Sequence, residues 1–170
     1  MGNKNSKGQK GFSLVELLIV AAILLIIAAF AVPNYMRSKM AANQSSAVGS
    51  LRGINTACAS YSTTYSQFPA ALTDLAPPDP GHGNGNGQGA QADPPSSTAA
   101  DLIDSVLAAG IKSGYIFTYT AGASNQSYTL TATPITPATT GQNMYFTDQS
   151  GVIRMDTSGA GATAASTPVG

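Results

Sequence analysis

The sequence has no tryptophan and, in 170 residues, a single cysteine (Cys58), a single histidine (His82) and a single glutamate (Glu16). One cysteine excludes an intramolecular disulfide, so no segment is stapled covalently; Cys58 reads as a small buried apolar residue. His82 sits in the run GHGNGNGQG with only Asp79 and Asp93 nearby. That is too few donors for a metal site and leaves no Ser-His-Asp set. The glycine run lacks the strand–turn–helix setting of a phosphate loop, and no GxxxxGK[ST] occurs. We therefore expect a protein that is not an enzyme and holds no cofactor. Charged residues make up 9%, against about 25% in ordinary soluble domains. No basic patch exists, so specific nucleic-acid binding is not expected. The remaining aspartates (Asp74, Asp101, Asp104, Asp148, Asp156) are scattered; Asp148 and Asp156 flank a turn and are the one pair left as candidate cation ligands.

What the sequence does have is a long apolar run. Gly11 to Val32 reads GFSLVELLIVAAILLIIAAFAV, and after Glu16 no charge follows until Arg37. About 20 apolar residues span a bilayer as a helix, so this stretch is long enough. A carboxylate inside such a helix costs on the order of 2.5–3.5 kcal/mol or more, which makes Glu16 a feature in need of a partner. The run begins directly against a lysine-bearing leader (Lys4, Lys7, Lys10), and these lysines favour a cytoplasmic N-terminus. A secretory signal places its small-residue cleavage site beyond the apolar core; here the glycine junction lies ahead of it.

The segment Lys10-Gly11-Phe12-Ser13-Leu14-Val15-Glu16 resembles the class III signal of type IV pilins and type II secretion pseudopilins. The resemblance implies that residues 1–11 are a leader, cut between Gly11 and Phe12 by a prepilin peptidase. Phe12 is then N-methylated and the apolar helix is retained. It implies that the amine of Phe12 pairs with Glu16 of a neighbouring subunit and sets the register of a growing helical homopolymer. A proline near position 33 also recurs in the resembled family. Removal of the leader leaves five basic against eight acidic side chains.

The remaining chain is organised simply. Residues 12–66 read as one long helix, with 12–32 the transmembrane or filament-core part and 34–66 amphipathic. Pro33 removes one helical hydrogen bond, so a kink or loosening is expected near Phe30–Asn34. Val48, Leu51, Ile54, Cys58, Tyr61 and Tyr65 recur at helical spacing, a stripe that needs a sheet to cover it. Gly49 and Gly53 lie among them and suggest local flexibility. Gln67-Phe68-Pro69 ends the helix, and residues 67–98 form a variable, low-complexity loop, with Ala71–Leu75 as a short helical turn. Thr98 to Gly110 suggests a helix capped by Thr98, its first turns favoured by Asp101 and Asp104. Within residues 99–156, strand patterns at 113–120, 127–133, 143–147 and 152–155 predict about four antiparallel strands. Residues 157–170, rich in Ala, Gly, Thr and Ser, suggest a flexible tail. Asn43 and Asn125 begin Asn-Gln-Ser sequons, which are poor predictors of glycosylation in a bacterial setting. The fold class is thus α+β, and its order is that of the resembled pilin fold.

Taken with the resemblance, this order implies a structural subunit, the major pilin of a type IV pilus, with twitching motility, adhesion, DNA uptake and biofilm formation all open as the process served. It would be stored as a single-pass precursor in the bacterial inner membrane and moved outward by a pilus or type II secretion assembly machinery. The alternatives are a type II secretion pseudopilin or minor pilin and, from another class, a single-span membrane-anchored binding protein with an uncut N-terminus. The Asp-Pro-Trp-Gly segment typical of calcium-binding major pseudopilins is absent.

Overall fold

The computed structural model describes residues 11–78 and 94–169. The leader (1–10) and most of the low-complexity loop, with Asp79, His82 and Asp93, lie outside the described residues. Packing divides the chain into two units, Met1–Ser38 and Lys39–Gly170, taken here in turn.

The first unit contains the start of helix α1 (Leu14–Tyr65), whose helical assignment runs without interruption through Pro33. Pro33 offers no N–H, and its ring disturbs the carbonyls one turn earlier. The Asn34 side-chain amide answers this by donating to the Phe30 carbonyl at 3.1 Å, so a carbonyl beside the proline gains a second donor.

The second unit is a six-stranded antiparallel meander covering the later turns of α1. The strands are β1 (Ile111–Lys112), β2 (Tyr115–Ala121), β3 (Tyr128–Pro134), β4 (Met144–Asp148), β5 (Arg154–Asp156) and β6 (Thr167–Pro168), hydrogen-bonded in that order. Two short strands, β1 and β6, join the four read from the sequence, one at each edge.

Alternation builds the core. Tyr115 and Phe117 of β2, Tyr128, Leu130 and Ala132 of β3, and Tyr145 and Thr147 of β4 point inward and are buried. They meet Ala47, Leu51, Ile54, Ala57, Cys58 and Tyr61 of α1, with Val48 and Tyr65 packed at the margins. Burial of each large apolar side chain contributes about 1.5–3 kcal/mol. Gly141 is required where it stands, because a Cβ there would collide with the Tyr115 ring and hydroxyl.

Two segments differ from the sequence reading. The helix predicted over 98–110 is only one turn, α2 (Ser105–Ala108), and its cap is Asp104, whose carboxylate accepts the Leu107 N–H at 2.9 Å. Thr98 lies outside it, and Asp101 adopts a left-handed φ of 55°. The preceding residues spend their backbone donors elsewhere: Ala100, Asp101, Leu102 and Ile103 bond to the carbonyls of Asp74, Ala76 and Leu75.

The second difference is the segment after residue 156, which is tethered. Arg154 and Met155 pair with Pro168 and Thr167. The Val169 N–H donates to the Ile153 carbonyl at 2.8 Å, and the Arg154 guanidinium donates to the Ser166 carbonyl at 3.1 Å.

Candidate assembly surface

The residues singled out by the sequence lie at the start of α1. Gly11, Phe12 and Ser13 precede the helix in non-helical conformation, and Phe12 is 75% exposed. Helical hydrogen bonding begins with the Leu17 N–H on the Ser13 carbonyl at 3.2 Å. Glu16 falls in the first turn, where the unpaired N–H groups and the helix dipole favour a negative charge.

Beyond it, the large apolar side chains from Leu14 to Val32 are all exposed, and the most apolar window of the helix has none of its residues buried. An apolar surface of this length is a surface for lipid or for other apolar helices. The arrangement presents one carboxylate at the mouth of an apolar cylinder, a position from which it accepts a cation or a strong donor. The four named positions thus divide: Gly11 and Phe12 stand just ahead of the helix, Glu16 in its first turn, and Pro33 far along it.

Asp148 and Asp156 do not converge. Asp156 pairs with Met144, at the opposite end of β4 from Asp148; four residues of strand separate the two ends by roughly 13 Å. Each carboxylate closes its own turn. Asp148 accepts the Ser150 N–H at 2.9 Å. Asp156 accepts the Ser158 hydroxyl at 2.9 Å and the N–H groups of Gly159 and Gly161 at 3.1 and 3.3 Å. These bonds, led by the Ser158 hydroxyl, hold its carboxyl below the ordinary value. Among the described residues no group of three His, Cys, Asp or Glu side chains is placed to hold a metal.

Cys58 is fully buried. Burial pushes its thiol up to about 12, with the Tyr119 and Tyr128 side chains pulling the other way. Of the sequons, Asn43 is engaged, its amide donating to the Thr140 carbonyl at 2.8 Å. Asn125 ends a one-turn 3-10 segment with φ of 54°, and its carbonyl accepts the Phe68 N–H at 2.8 Å.

Sequence reasoning missed the polar hub at Asn55. Its amide donates to the Thr147 hydroxyl at 2.9 Å and to the Gly151 carbonyl at 3.2 Å, while its oxygen accepts the Tyr128 hydroxyl at 3.0 Å. One asparagine thus pins α1 to β3, β4 and the following turn. The only available signal was an amide adjacent to an apolar stripe.

Comparison with known proteins agrees with this picture. Residues 6–32 match the family described as the prokaryotic N-terminal methylation motif. The chain is 42% identical over 52 residues to the type IV major pilin protein PilA of Myxococcus xanthus, covering 31% of this chain and 24% of that one. It is 36% identical over 66 residues to the type II secretion system core protein G of Vibrio cholerae, covering 39% of this chain and 45% of the relative. The core protein G of Aeromonas hydrophila is 36% identical over 67 residues, with 39% and 47% covered. The chain thus spans less than half the length of each of these relatives. No solved structure matches.

Proposed function

We propose that this chain, a member of the type IV pilin and type II secretion pseudopilin superfamily, is the major structural subunit of a type IV pilus. The observation that carries the reading is the fully exposed apolar helix from Leu14 to Val32, opened by Gly11-Phe12 and bearing Glu16 in its first turn. Such a surface is stable in the inner membrane and equally stable among copies of itself, so one helix serves both storage and assembly.

A prepilin peptidase cuts between Gly11 and Phe12 and N-methylates Phe12. The new amine lies one helical turn from Glu16. Within a filament each Phe12 amine meets the Glu16 of a neighbour, because a carboxylate in an apolar core is stable only when paired. Packing of the apolar helices against one another keeps them from water once they leave the membrane, and the amine–carboxylate pair selects the axial register. Loosening at Pro33, with Asn34 holding the Phe30 carbonyl, lets the helix adjust to its neighbours. The precursor enters the inner membrane with its lysines on the cytoplasmic side, and a pilus assembly machinery extracts it.

A second reading has its own support. Two of the similar proteins are type II secretion core proteins, matched over 45% and 47% of their length, which favours a pseudopilin in a periplasmic pseudopilus.

Shearing cells and measuring the intact mass and N-terminal peptide of the released chain decides between them. Protein beginning at N-methylated Phe12 in extended surface filaments supports the major pilin. A processed chain retained in the envelope favours the pseudopilin or a minor pilin, and an uncut chain confined to membranes overturns both. Glu16→Ala is expected to insert and be cut normally yet to polymerise poorly; normal filaments from it would sink the register argument.

A further inference from the structure

The face of the sheet turned away from α1 holds a groove of about 400 Å³ on which none of the preceding argument depends. Its floor is set by strand register. Thr120 pairs with Thr129, and Thr129 with Asp148, so these three side chains stand in one cross-strand row at spacings of about 5 Å. The next row on the same face runs Thr118, Thr131, Phe146, Arg154.

The groove itself is lined by Thr120, Ser127, Thr129, Phe146, Asp148 and Gln149, with Ala164 of the tethered C-terminal segment at its margin. Gly122 shapes one end: a Cβ there would displace the Ser127 hydroxyl and stand 3.1 Å from the Ser127 carbonyl.

Two properties identify the chemistry of an occupant. First, the polar groups are unspent. Some hydroxyls elsewhere in the unit are committed, as Thr147 is to Asn55 and Thr140 to the Thr136 carbonyl. The Thr120, Ser127 and Thr129 hydroxyls and the Gln149 amide bond to no other described residue, and the Asp148 carboxylate receives only the Ser150 N–H. Second, the lining carries one charge, a carboxylate, beside a half-buried aromatic ring. A polyanion is repelled by Asp148. A divalent cation finds a single carboxylate where it needs several oxygen ligands of higher charge. A purely apolar ligand would leave a hydroxylated floor unpaired.

We infer that this groove binds a neutral, hydroxyl-rich glycan. The C–H face of a pyranose ring packs on Phe146, its hydroxyls exchange hydrogen bonds with Thr120, Thr129, Ser127 and Gln149, and Asp148 accepts the charge-assisted bond that fixes orientation. This inference stands whether the chain is a pilus or a pseudopilus subunit.

The test uses the full chain in a detergent that carries no sugar headgroup, titrated with maltohexaose, cellohexaose and chitohexaose, and with heparin as the polyanion, by calorimetry and saturation-transfer NMR. The expected result is saturable binding of at least one neutral oligosaccharide and none of heparin. The doubly isosteric Thr120→Val/Thr129→Val and, separately, Phe146→Ala should each weaken binding by about tenfold or more. Thr133→Val, outside the groove lining, should leave it unchanged. Circular dichroism on each variant separates loss of binding from loss of fold. No saturable binding of any of the three sugars, equal or tighter binding of heparin, or equal loss in the Thr133 control overturns the inference.

Discussion

From Leu14 to Val32 and from Ala47 to Tyr61, helix α1 is built largely from apolar residues, yet Leu14 is 76% and Phe30 73% exposed while Leu51, Ile54 and Cys58 are at 0%. The difference lies in how apolar residues are distributed around the axis. The early turns are apolar on all sides, and none of the described residues covers them. The later turns confine apolar side chains to a stripe, with Arg52, Asn55 and Ser60 elsewhere around the axis, and one antiparallel sheet suffices. The same backbone element is thus completed once by the chain's own strands and once by its surroundings.

Substitutions in the two stretches should separate these roles, and the largest contrast comes from truncation. Ile54→Ala should lower the unfolding free energy of the sheet-bearing unit by about 2–5 kcal/mol. Leu24→Ala should leave it within about 0.5 kcal/mol and act on assembly alone. Chemical denaturation of both variants in micelles checks this, and equal losses would break the comparison.

Asn55→Ala comes next. It leaves the Tyr128 and Thr147 hydroxyls without their partner and should cost about 1–3 kcal/mol with no change in helix content at low temperature.

A pH-gated effect follows from Cys58. An unfolded thiol titrates near pH 8.5, whereas burial holds the folded one up to about 12. Above pH 8.5 the unfolded state releases its proton first. The contribution is therefore complete below that pH and is lost as pH rises toward 12. Tyr115, Tyr119 and Tyr128, also raised by burial, add to the same alkaline loss. Thermal melts from pH 8 to 11 should fall steadily, less steeply for Cys58→Ala. A thiol reagent should label the native chain only after unfolding.

The smallest effect has the opposite sign. An added Cβ at Gly53 meets nothing within 4 Å, so Gly53→Ala should stabilise the unit by about 0.5–1 kcal/mol. A loss instead would mean that this face of α1 is occupied.

Much of this was legible because periodicity records burial. Spacings of three and four from Val48 to Tyr65 identified the covered stripe, and runs rich in β-branched and aromatic residues identified the four longer strands. Three features left no such trace. The β5–β6 pairing rests on backbone groups and on Val169, within a composition that suggests no structure. Residues 98–104 have helical propensity, but tertiary bonds to Leu75 and Asp74 outbid it. Asn55 is a polar residue whose value depends on what stands opposite. The candidate site was legible for a different reason: Gly11, Phe12 and Glu16 form a local motif, and their meaning does not depend on the rest of the fold.

The terminal pairing has a mechanical consequence. β2 and β3 are joined by seven residue pairs, β5 and β6 by two. A load drawn through the last residues would meet β6 first and peel it one rung at a time, at low force, before reaching strands that must yield many rungs together. The two rungs of β5 and β6 are thus the weakest seam of the sheet on that side.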